Sequence, residues 1–203
     1  NARGVNLSRC GENGIYIKDQ TSLELDEGQV ADCASGLAAD GGASLLRRVE
    51  LRGSRRAGAL LSAGAHNLED CSFAGGAAGL EASGSAMTQL TRASFSGASG
   101  PAVALAGKAA AMMSDAGIES CGTGLSLAED SRLDGSGLLV KGIKEHGVSL
   151  RDRARLSARD ADLSGCGANG VYLQDQAALE LFEGRISDCA SGLAADGGSS
   201  LLR

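Results

Sequence analysis

Tryptophan is absent from the 203 residues, and aromatic side chains of any kind make up only 2 %. A core without large rings must be filled by Ala, Leu, Val and Ile, which suits a thin bore rather than a thick layer. Proline occurs once, at Pro101, and histidine twice, at His66 and His146. No apolar run reaches the roughly 18 residues that a membrane-spanning helix needs. No signal-peptide pattern opens the chain, which leaves its compartment open. Basic residues are in the minority, and the net charge of −6 argues against a nucleic-acid partner. None of the six cysteines stands in a C-x-x-C pair, so zinc-ribbon and thioredoxin-like chemistry find no support.

What is present is repetition. A glycine before an aliphatic pair recurs at Gly14, Gly36, Gly58, Gly79, Gly124, Gly147, Gly170 and Gly192, with Ala102 in the same place once, at spacings of 21 to 23 residues. A fixed period in this range marks a repeat architecture. Positions one and three after each start are apolar, as in Ile15/Ile17, Val103/Leu105 and Val171/Leu173. Period two places both side chains on one face of a strand. A second apolar group follows about nine to eleven residues into the unit: Leu23/Leu25, Leu45, Leu68, Leu90, Met112, Leu133, Leu156, Leu179/Leu181 and Leu201. A third precedes the next start: Val30, Phe73, Phe95, Ile118, Leu163 and Ile186. Each unit therefore offers three short strands with one apolar face apiece. One unit cannot close a core, but stacked units can, with equivalent strands about 4.8 Å apart in parallel.

This grammar, Gly-aliphatic-x-aliphatic followed by Asp or Gly, resembles the right-handed parallel β-helix repeats of the pectin-lyase-like superfamily over the whole chain. The fold expected is all-β: a solenoid of about nine rungs of 21–23 residues, three short strands per rung. Leucine-rich repeats are excluded by the missing L-x-x-L-x-L, and helical repeats by their longer periods. The segment from Gly58 to about Ala128 is richer in Ala, Ser and Met, and is expected to be the least regular.

A longer period overlies the short one. Residues 6–47 and 162–203 align without gaps over 42 residues, 29 of them identical. Residues 1–203 read as a single β-helix domain. Neither end carries a polar cap, so the expectation is a fragment of a longer chain.

Two columns are candidate sites. Cys10, Cys33, Cys121, Cys166 and Cys189 fall three or four residues before the next start, an inward corner ladder of small thiols. Cys10–Cys33 and Cys166–Cys189 are within disulfide reach, but the unpaired Cys121 in the same column favours free thiols. Carboxylates recur four to six residues after the start: Asp19, Asp40, Glu129/Asp130, Asp152, Asp175 and Asp196. Stacked carboxylates could hold a cation at Asp130, Asp152 and Asp175, or act as acids at Asp152, Asp175 and Asp196. The plainer reading is a turn, which Asp suits. His66 and His146 read as solvated turn residues. The Arg groups at 47–56 and 151–159 read as solvated faces interleaved with acids. Tyr16 and Tyr172 point outward at equivalent places in the long repeat.

The resemblance also allows a test for activity. Polygalacturonase-like members carry N-T-D, D-D, G-H-G and R-I-K, pectate-lyase-like members R-x-P-x-x-R, and alginate-epimerase-like members D-P-H-D. None occurs here. The function expected is therefore a non-catalytic structural or protein-interaction segment, with no cofactor and a protein partner along a sheet face or an end edge. Polysaccharide binding or processing is the alternative, and a surface stalk the third.

Overall fold

Inward and outward side chains alternate along each strand, and the repeat lays equivalent strands side by side. In the computed structural model, which describes residues 1–203, the outcome is a parallel β-solenoid whose twenty strands wind around one bore. There are three faces, and each rung crosses them in turn. In the end rungs the ladder continues round the corner, so Asn13–Ala31 is a single strand. In the middle rungs the faces are separate, as in Pro101–Leu105, Ala110–Ser114 and Gly117–Glu119. No helix is long and apolar enough to cross a membrane.

The first face follows the repeat throughout. Ile15, Leu37, Ala59, Leu80, Val103, Leu125, Val148, Val171 and Leu193 stand in one register column. The third face stacks Val30, Leu51, Phe73, Phe95, Ile118, Val140, Leu163 and Ile186. Phe73 and Phe95 stack in the bore with ring centroids 4.5 Å apart and planes 9° from parallel. Two of the three phenylalanines thus meet on adjacent rungs.

The second face departs from the expected pattern at three rungs, since Leu45 and Met112 face outward and Leu201 stands opposite the outward Glu180. Met113 and Leu46 point inward, while Met112 is 57 % exposed and Leu45 is half-buried. Their columns are Leu25–Leu46–Leu68–Leu90–Met113 inside and Leu45–Asn67–Gln89–Met112–Asp134 outside. Adjacent Leu-Leu and Met-Met pairs hide the phase of a period-two strand, because either residue satisfies it.

Within each face the middle rungs keep an unbroken register. The shifts at Asp19/Ser22, Ala39/Asp40, Asp40/Ala43 and Asp175/Ala178 fall at the first corner, where the end-rung strands run through it. Small side chains fill the narrow bore without strain, and stacking in register outweighs their weak strand preference.

Three corners return the chain, each turning on a left-handed residue, with a second directly after it at Gly41–Gly42, Gly75–Gly76 and Gly197–Gly198. At the second corner this residue is Glu27, Arg48, Asp70, Arg92, Asp115, Gly137, Asp160 and Glu183 in successive rungs. Neighbouring rungs pair these charges, as in Arg92–Asp70 at 2.6 Å and Arg48–Glu27 at 3.5 Å. Each such surface pair contributes little by itself. The third corner comes in two lengths, with seven residues from Val30 to Leu37 and eight from Val140 to Val148 in the register columns.

Candidate interaction face

The carboxylate column resolves into hydrogen bonds between rungs. Glu129, Asp152 and Asp175 hold the left-handed place at the first corner, with φ of 60°, 59° and 56°. Each carboxylate accepts the backbone N–H of the same place one rung earlier: Gly107 to Glu129 at 2.6 Å, Glu129 to Asp152 at 2.9 Å and Asp152 to Asp175 at 3.2 Å. Asp19 has the same φ sign, but Asp40 and Asp196 stand one position early, opposite Lys18 and Gln174. Gly41 and Gly197 take the left-handed place there, at φ 109° and 104°. Asp130 is outside the column too and accepts a two-pronged bond from Arg153 at 2.7 and 2.9 Å. That guanidinium holds the Asp130 carboxyl below the usual range. No group of three or more His, Cys, Asp or Glu side chains converges to hold a metal ion.

All six cysteines are free. Cys33, Cys121 and Cys166 are buried, and Cys10 and Cys189 are half-buried. The thiols of Cys10, Cys33, Cys121 and Cys189 each donate to the carbonyl two residues earlier. Burial, aided by Cys189, pushes the Cys166 thiol up to about 12. Cys71 stands apart at the second corner, where burial raises it to about 11. Thiols held in the protonated form are poor nucleophiles and poor metal ligands at neutral pH.

His66 is not a solvated turn residue. It lies within the strand Ala57–Glu69 and is 2 % exposed, in the inward column Leu23–Ser44–His66–Thr88–Ala111. Its Nε2 lies 2.9 Å from the Ala63 carbonyl and its Nδ1 2.9 Å from the Ser44 hydroxyl. The carbonyl can only accept, so Nε2 carries the proton and Nδ1 accepts from Ser44. Thr88 Oγ1 beside it has no partner. The phase signal was available: His66 stands two residues before the inward Leu68.

Burial depresses the His66 pKa below its ordinary 6.5. A neutral imidazole is therefore favoured by folding, and its stabilising contribution is present above about pH 6.5 and lost as pH falls through the folded value. Unfolding free energy should fall between pH 6.5 and 5 in the native chain. The same scan on His66→Leu should be flatter in that window. Carboxylates held low by arginines, Glu27, Asp70 and Asp130, lose their contribution only further down. Equal slopes for the two chains between pH 6.5 and 5 would contradict this assignment.

The outer surface of the second face is where the middle rungs differ from the rest. One outer column reads Ala43, Ala65, Met87, Ala110, Arg132, Arg155, Ala178, and its neighbour Leu45, Asn67, Gln89, Met112, Asp134, Ser157, Glu180. Met87 and Met112 are 60 % and 57 % exposed. Between them runs a groove of about 280 Å³ floored by Ala65, Ala110 and Gln89. It passes into a second groove of about 400 Å³ towards Phe182. On the first face, Tyr16 is exposed, whereas Tyr172 stacks on His146 at 5.1 Å. Asn169 holds that imidazole, its Nδ2 lying 3.2 Å from Nδ1.

A single bore, three parallel faces and a left-handed residue at each corner define a parallel β-helix. Residues 35–202 match the family described as the right-handed beta helix region, and the chain belongs to that family. Comparison with curated proteins and with solved structures returned no match.

Proposed function

We propose that this chain is a non-catalytic β-helix segment that binds another protein along its second face. The observation that carries this is the apolar strip formed by Met87 and Met112. Two large, adaptable apolar side chains stand more than half exposed over a floor of alanines. Methionine is enriched at binding surfaces because its unbranched side chain repacks against varied partners. The corner carboxylates support the same reading from the other side, since their oxygens are engaged with backbone N–H groups of neighbouring rungs.

Carbohydrate binding is the second reading, favoured by the Tyr172–His146 stack on the first face. The test is turnover of pectin, alginate and glucans, with and without calcium. The expected result is none above background for the native chain. Turnover that vanishes in Asp152→Asn with Asp175→Asn would overturn the proposal.

A further inference from the structure

Resting on the protein-binding reading above, we infer that the second-face groove takes an extended segment of a partner protein that carries one acidic residue. An aliphatic side chain of that segment sits between Met87 and Met112, and a carboxylate two residues along lies on Arg132 and Arg155. The starting observation is a facing pair, Arg132 and Arg155, among the arginines that make no ion pair. Arg3 and Arg47, on the same outer face, are ion-paired with Glu27 and with Glu24 and Glu69. Arg48, Arg92 and Arg153 at the corners are paired as well. Arg132 and Arg155 are exposed and stand directly opposite each other on successive rungs, with no acid within ion-pair distance of either. Like charges directly opposite one another in a sheet destabilise it. An anion between them would remove the repulsion and engage two guanidinium groups at once.

The position of the pair names the rest of the ligand. Arg132 follows Met87 and Ala110 in their own column, and Met112 is its diagonal neighbour. Diagonal neighbours are about 7–8 Å apart. Alternate residues of an extended peptide are separated by about 7 Å, so an acid and an aliphatic residue with one residue between them span the gap. Other polyanions fit less well. Asp134 and Glu180 in the adjoining column would repel a continuous run of phosphates or uronates. Between Met87 and Met112 the groove has no Phe, Tyr or Trp on which a sugar or base could stack, its one ring being the buried His66, and Phe182 stands only at the far end of the adjoining groove.

Selection of a random heptapeptide display library on the whole chain tests this. The expected result is enrichment of Asp or Glu two residues from Leu, Ile or Met. Synthetic winners should bind Arg132→Gln/Arg155→Gln about tenfold or more weakly, with affinity falling as salt rises. Both arginines are exposed, and an unchanged far-ultraviolet spectrum would establish that the variant is folded. Winners that depend on Met87→Ser/Met112→Ser but bind the arginine variant undiminished would overturn the acidic assignment and leave the protein-binding reading intact. No enrichment at all would overturn both. Tighter binding of polygalacturonate or single-stranded DNA than of any winner, lost in the arginine variant, would assign the pair to a different class of ligand and overturn the inference.

Discussion

Phe73→Ala is expected to lower the unfolding free energy by about 3–5 kcal/mol, the range for removing a buried phenylalanine. Phe73 is 1 % exposed and stacked on Phe95. The bore around the two rings is lined by side chains already packed in register, so little can move to fill the space. Urea unfolding of the single and double variants gives the pair term, which should be about 0.5–1.5 kcal/mol beyond burial. A loss under about 1 kcal/mol for Phe73→Ala would mean that the middle rungs collapse around the vacancy.

The second large effect comes from adding one carbon at the same place. A Cβ at Gly58 would lie 2.6 Å from the Gly79 carbonyl oxygen and 2.7 Å from Phe73 Cδ1. Its φ is not in the left-handed region, so space rather than conformation forbids the side chain. Gly58→Ala should cost at least the roughly 1–3 kcal/mol of an overpacked core, because one of the two obstacles is backbone. Combining Gly58→Ala with Phe73→Leu should recover only part of the loss, since the shorter side chain frees the ring side and leaves the carbonyl. Denaturation of the three chains under one set of conditions checks this. Full recovery in the double variant would show that the carbonyl of the next rung gives way.

These two sites also show what the sequence discloses. Gly58 and Phe73 were both visible as phase markers, one opening the unit and one closing it. The first and third faces follow directly, because Ile15/Ile17 and their equivalents alternate without ambiguity. The second face is less legible wherever neighbours are alike. Leu45-Leu46 and Met112-Met113 offer two equally good inward residues, and only the stack above and below decides. His66 misled although its phase was visible, because its column neighbours Ser44 and Thr88 are polar too and give no apolar mark. Asp40 and Asp196 misled because the Gly-Gly that follows each takes the left-handed place, which falls to Asp19, Asp152 and Asp175 in other rungs. The interaction face was legible only as a stretch rich in Ala, Ser and Met. That Arg132 and Arg155 stand opposite each other without an acid depends on register, which one-dimensional spacing does not report.

The unequal corners have a consequence for change in length. Between the second and third faces every rung turns on the same left-handed residue, from Glu27 to Glu183. A residue lost there would reverse inside and outside along the whole following strand, sending Phe95 or Ile118 into water. Between the third face and the first, the connection already differs by one residue from rung to rung, with seven from Val30 to Leu37 and eight from Val140 to Val148. Additions there leave the phase of the next strand untouched. The molecule thus keeps one corner as a ruler and another as slack, and a grafted loop of foreign sequence belongs at 142–147, where the winding can absorb it without losing count.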